Sequence, residues 1–313
     1  MHRSRLVLLA ALLIASACRR SPAPAVAPVV APAPSSQNPS PMVERTRAHG
    51  RLAPRELPGR RHTVSGILPR PFEVFVPTAA DSGRVPLLVH FLGAAYIPIE
   101  AAQHADPRMV VATVNLSAGS GAYEQPFRGT TTWARLLAAV DSVLQADSNG
   151  RLRRSTTWLS AFSAGNGAVR AILASDAQAR AIDGVVILDG IHTGYDPPGR
   201  VVADSGRLDP ANLQSLLRYA RRAVAGEVRM LVTHSEVFPG TFASTTETAN
   251  WLIDQLRVPR SAVLRWGPQG MQQTSVATLG AFTLLGFAGN SAPDHLDHLH
   301  ALPELLALVT RQE

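Results

Sequence analysis

The chain contains no lysine; all 30 of its basic residues are arginine. It has a single cysteine, Cys18, and only 5% aromatic residues. One cysteine rules out an intrachain disulfide, so no covalent staple supplements the core. Few aromatics leave the interior to Leu, Val, Ile and Ala, which the 46% apolar content of a 313-residue chain supplies amply. Positive charge is scarce where a nucleic-acid binder would need it. The formal charge is +7, yet ten arginines against only Glu44 and Glu56 lie before His62, and the remaining 20 arginines face 21 acids. The body is near neutral, which argues against nucleic acid as a partner.

The first 18 residues have the layout of an export signal. His2, Arg3 and Arg5 precede an apolar stretch at 6–14 that is too short to span a bilayer well, and the small residues Ala15, Ser16 and Ala17 precede Cys18. A lone cysteine here resembles the lipobox of bacterial lipoproteins, although Ala15 stands where leucine is usual. That resemblance implies lipidation of Cys18 and a membrane partner through the anchor. The address would be the cell envelope, either outer membrane or facing the periplasm, with secretion as the alternative. Residues 19–61 read as a linker: prolines recur through 22–41, and arginines through 45–61. The folded domain is expected over 62–313.

Within that domain, strand-like and helix-like segments alternate. Residues 62–67 and 72–76 suit an opening hairpin. The uninterrupted apolar runs 86–92 and 109–116 suit strands buried on both faces. Helical spacing follows at 132–145. Strands are expected at 156–162, 182–188, 228–233 and 281–287, and helices at 165–174, 212–225, 244–256 and 296–309. Ser244 and Glu247 fit a capping box. Residues 261–278 fit the pattern poorly and read as an insertion. Alternation of this kind predicts an α/β fold, a doubly wound, mostly parallel sheet with helices on both faces.

The strongest chemical signal is Ala161-Phe162-Ser163-Ala164-Gly165, at the end of a strand and the start of a helix. It resembles the Gly-x-Ser-x-Gly nucleophile elbow of α/β-hydrolases, with Ala161 in place of the first glycine. The tight turn needs small residues two before and two after the serine. The resemblance implies Ser163 as nucleophile, activated by a histidine that a carboxylate orients. It implies His295 as the base, since that residue follows the last strand and opens the last helix. His298 is a possible assistant, and His300 is expected to face solvent. Two acids compete, Asp189 and Glu236, each just past a strand end, and either could orient the histidine. The oxyanion hole would combine the Ala164 N–H with that of Gly93 or Ala94. His90, inside a strand, reads as structural.

A metal reading of His295, His298 and His300 with Asp294 and Asp297 is disfavoured, because position 300 turns away from 295 along a helix. No metal and no cofactor are therefore expected. Little chain separates Asp189 from Val228, so the site should be open, suited to a small or polymer-borne ester, in a monomer. A serine peptidase and a non-catalytic binding lipoprotein on the same scaffold are the alternatives.

Overall fold

The computed structural model describes residues 48–311. The export signal, Cys18 and most of the expected linker lie outside the described residues. The described chain forms twelve strands: β1 (Gly59–Val64), β2 (Phe72–Pro77), β3 (Gly83–Phe91), β4 (Val110–Val114), β5 (Leu152–Phe162), β6 (Gly184–Leu188), β7 (Tyr195–Asp196), β8 (Arg207–Leu208), β9 (Arg229–His234), β10 (Ser261–Trp266), β11 (Gln272–Leu279) and β12 (Phe282–Phe287). Its α-helices are α1 (Tyr96–Ala105), α2 (Ser120–Phe127), α3 (Thr130–Asp147), α4 (Asn166–Ile172), α5 (Asp176–Arg180), α6 (Gln214–Val224), α7 (Thr245–Leu256), α8 (Ala292–His300) and α9 (Leu302–Thr310).

Ten strands form one sheet in the order β1-β2-β4-β3-β5-β6-β9-β12-β11-β10. The six central strands, β4 to β12 in that order, run parallel, and antiparallel strands close both edges. This is the doubly wound, mostly parallel α/β architecture expected from the alternation of segments. Residues along each central strand alternate between two cores. Val185 and Ile187 join the larger one with α3, α4, α6 and α7. Val186 and Leu188 join the smaller one with α1 and α9. Strands buried on both faces read as unbroken apolar runs for this reason.

Four expectations need correction. Residues 261–278 are no insertion: β10 and β11 pair antiparallel and extend the sheet beyond β12. The last helix is two, α8 and α9, with Ala301 between them and Pro303 at the start of the second. The N-terminal boundary at His62 is late. β1 begins at Gly59, and the segment before it is tied down: Tyr96 Oη donates to the Leu52 carbonyl (3.1 Å), and Leu52 and Leu57 pack on the smaller core. The segments carrying α1, α2 and α5 were not read as helices at all, because Pro98, Pro126 and short length mask their period.

Candidate active site

Three neighbouring strands, β3, β5 and β6, end together, and each is followed by a backbone kink. Leu92 follows β3 closely with φ 69°, Ser163 follows β5 with φ 49°, and Asp189 follows β6 with φ 43°. Left-handed backbone is rare for residues with a side chain, and its clustering past adjacent strands marks this edge as the specialised end of the sheet. It is also the carboxyl end of the parallel strands, where α/β proteins bind ligands.

Ser163 sits on the turn that follows β5. Phe162 pairs with Leu188, so Ser163 and Asp189 each come one residue past the last paired position of β5 and β6. The turn is close-packed on every side. A Cβ on Gly165 would stand 2.2 Å from the Phe91 carbonyl oxygen, and one on Gly190 would stand 2.7 Å from the Ser163 carbonyl oxygen. Ala161 is fully buried in the larger core, so the departure from glycine at that position is accommodated.

Asp189 is 1% exposed. Its Oδ2 accepts from His295 Nδ1 at 2.6 Å. Its Oδ1 accepts from the Ser235 N–H at 2.8 Å and from the Thr245 hydroxyl. Burial alone would raise the Asp189 pKa; the positive potential of His298 and the bonds from His295 and Ser235 outweigh it and hold the carboxyl well below the usual carboxylate range. Thr245 opens α7, whose capping box of Ser244 and Glu247 is formed as expected, so the positive end of that helix also faces the carboxylate.

In the tautomer that gives its Nδ1–H to Asp189, the acceptor nitrogen of the His295 ring is Nε2. The ring lies on Phe162, with centroids 4.5 Å apart, which returns it to the strand that carries the serine. The other acid takes no part in this pairing. Glu236 is exposed, and its contacts are with Gly289: its N–H donates to the Gly289 carbonyl at 2.9 Å, and its Oε2 accepts from the Gly289 N–H at 3.5 Å.

The remaining histidines divide by partner. His298 is buried, and its Nδ1 lies 2.7 Å from the Thr233 hydroxyl, which also accepts from the Asp189 N–H at 3.2 Å. It thus supports the acid from behind. His300 does not face solvent: it is 7% exposed, and its Nδ1 accepts from the Leu52 N–H at 3.1 Å. His90 is structural as expected, with Nδ1 2.8 Å from Ser160 Oγ, and burial lowers its pKa to about 4. The three rings of the C-terminal segment therefore serve three separate protein partners rather than one shared ligand. A different group, His49, Asp294 and Asp297, brings its ligand atoms within 4.8 Å of one another, but Arg51 already donates to Asp297 there.

Of the two loop donors expected for an oxyanion, Gly93 is committed elsewhere. Its N–H donates to Asn115 Oδ1 at 2.9 Å, and its carbonyl accepts from Asn115 Nδ2 at 2.8 Å. That reciprocal pair pins the loop and leaves Ala94 as the candidate beside Ala164.

A cavity of about 350 Å³ opens at Ser163, walled by Ala164, Ser120, Arg170, His192 and Phe242 among others. His192 stands edge-on to Phe242 at 5.3 Å. Burial is the largest influence on it and lowers its pKa to about 4, so it is neutral at pH 7. Sequence reading passed over Ser235, Thr245, Arg170 and His192. The only signal for them was position: His192 lies three residues past Asp189, and Thr245 lies inside the capping box.

No protein-family model matches this chain, and no curated protein matches it in sequence. Among solved structures, it is similar to TT1662 from Thermus thermophilus (16% identity, TM-score 0.42), covering 81% of this chain and 100% of that one. It is similar to the enterobactin esterase Fes from Shigella flexneri (14%, TM-score 0.49), covering 83% of this chain and 61% of that one. It is also similar to fungal esterases from Rhizomucor miehei (13%, TM-score 0.44), with 82% of each chain covered.

Proposed function

We propose that the protein is a serine hydrolase acting on carboxylic esters, with Ser163 as nucleophile, His295 as base and Asp189 as the orienting acid. The observation that carries this reading is the 2.6 Å bond between His295 Nδ1 and Asp189 Oδ2, next to a serine held at φ 49° at the mouth of a cavity.

The chemistry follows from the tautomer. Ser163 Oγ attacks the ester carbonyl carbon as its proton passes to His295 Nε2. Negative charge develops on the carbonyl oxygen, where the N–H groups of Ala164 and Ala94 are the donors. The tetrahedral adduct collapses, the C–O bond to the alcohol breaks, and His295 returns the proton to the leaving oxygen. Water then attacks the acyl-serine, again giving its proton to His295. The second collapse releases the carboxylic acid and restores the Ser163 hydroxyl. Asp189 remains ionised throughout and stabilises the imidazolium.

A fluorophosphonate probe tests the nucleophile. It should label the wild-type protein and neither Ser163→Ala nor heat-denatured protein. Equal labelling of wild type and Ser163→Ala would overturn the assignment.

A further inference from the structure

The cavity at Ser163 has a neighbour. Arg170 and Asn212 belong to its wall and equally to the wall of a second cavity of about 290 Å³. The second cavity is lined by three arginines, Arg128, Arg170 and Arg218, and one acid, Glu124. The charge balance there is uneven. Both Arg128 (3.3 Å) and Arg170 share the single Glu124 carboxylate. Arg218 donates to the Ala174 carbonyl at 3.4 Å, and the acid that it meets, Asp176, is 3.8 Å away with a side chain that is 75% exposed.

The donors are also incompletely used. Arg170 gives one terminal nitrogen to Glu124 and the other to the His192 carbonyl at 3.3 Å. Its Nε is buried without a partner. A purely structural Arg170, pinning the His192 loop to α2, would account for its two terminal nitrogens. It would not account for the two further arginines at the same wall.

We infer that the Arg128–Arg170–Arg218 trough is a specificity site for an anionic group, of carboxylate size, carried by the ester substrate. This rests on the reading of Ser163 as the nucleophile, because the trough shares Arg170 and Asn212 with that cavity. A guanidinium presents its donors in a fork that fits a carboxylate, whereas a neutral acyl chain would leave these charges uncompensated.

Matched ester pairs test it. On the acid side, 4-nitrophenyl adipate monoester is compared with 4-nitrophenyl hexanoate. On the alcohol side, 4-acetoxybenzoate is compared with its methyl ester. At least one anionic member should exceed its neutral partner about tenfold in kcat/KM. That preference should shrink in 0.5 M salt, since the arginines are partly exposed. It should collapse toward parity in an Arg128→Gln/Arg218→Gln double variant, whose changes are on exposed side chains. Neutral preference in both pairs, or a preference that survives the double variant, overturns the inference.

Calorimetric titration with adipate alone reads the trough without turnover. Adipate should bind wild type and Ser163→Ala alike, and more weakly the double variant. If no ester is turned over and adipate still binds this way, the hydrolase reading fails and the anion site stands. If esters are turned over without anionic preference and adipate does not bind, the anion site fails and the hydrolase reading stands.

Discussion

Asp189 and His295 are 106 residues apart in the chain and 2.6 Å apart in the fold. The distance is made by two unrelated local devices. A left-handed kink past β6 turns the Asp189 side chain along the sheet edge, and the Ser291–Asp294 capping box starts α8 so that His295 faces back toward it. The carboxylate, nearly free of solvent, is tolerable because three donors satisfy it.

The first prediction separates the two acids. Asp189→Asn keeps the side-chain volume but turns the acceptor of the His295 proton into an amide, which favours the wrong imidazole tautomer. Ester turnover should fall by about 10³–10⁴ in kcat with little change in KM. Glu236→Gln alters an exposed carboxylate and should remain within about twofold of wild type. Steady-state kinetics on 4-nitrophenyl acetate decide it, and the reverse ranking would transfer the role to Glu236.

The contrast between those acids also marks where the sequence stops being informative. Ser163 was legible because the elbow is local: strand, small residues and helix start within one turn. The central strands were legible because burial on both faces leaves an unbroken apolar run. Asp189 and Glu236 look alike in sequence, each an acid just past an apolar strand, and only the long-range approach of His295 distinguishes them. His300 was misjudged for a similar reason. Its partner, Leu52, lies in a stretch whose arginines and prolines suggest a solvated linker. The run Ala262-Val263-Leu264-Arg265-Trp266 is strand-like and forms β10, but β11 was missed because it carries Gln272, Gln273, Thr274 and Ser275, so its alternation is between small and polar groups rather than apolar and polar ones.

The elbow should be intolerant of a single methyl group. A Cβ at Gly165 would meet the Phe91 carbonyl oxygen at 2.2 Å and its carbon at 2.8 Å, which are backbone atoms of the neighbouring strand. Gly165→Ala must therefore displace α4 or the end of β3. A loss of roughly 1–3 kcal/mol in urea denaturation is expected, as for overpacked cores. Ester turnover should fall further than stability alone explains, because Ser163 moves with the turn. Gly121→Ala, at a position with open space around it, is the control and should cost less than about 1 kcal/mol. Equal stability for the two variants would contradict the packing argument.

The address can be tested independently of the catalytic site. If Cys18 is the acceptor of an envelope lipid anchor, cells fed a labelled fatty acid should incorporate it into the wild-type protein. Cys18→Ser should abolish the label and move the protein from the membrane to the soluble fraction. Ester turnover by purified protein should be the same for both, since position 18 lies outside the folded domain expected from the sequence. Label retained in Cys18→Ser would refute lipidation at this residue.

Acid should destabilise the fold in a defined window. Burial lowers the pKa of His90 and of His234 to about 4, against about 6.5 for an unstrained histidine. As pH falls below about 6.5 the unfolded chain takes up protons on these rings, while the folded chain does not until near 4. The unfolded state then binds more protons, so stability is fully present above about 6.5 and declines as pH falls toward 4. Each ring can contribute up to about 3 kcal/mol to that decline. Asp189 acts in the same direction at lower pH, because its depressed pKa gives stability above the unfolded carboxylate value that is lost as pH falls further. Urea midpoints at pH 7.5, 5.5 and 4.5 should decrease in order. His90→Gln, which replaces a titrating ring by a neutral amide, should be less stable at pH 7.5 yet show a shallower decline, by up to one proton. A midpoint independent of pH over that range would mean that these rings take up protons in the fold as readily as in the unfolded chain, contrary to their burial.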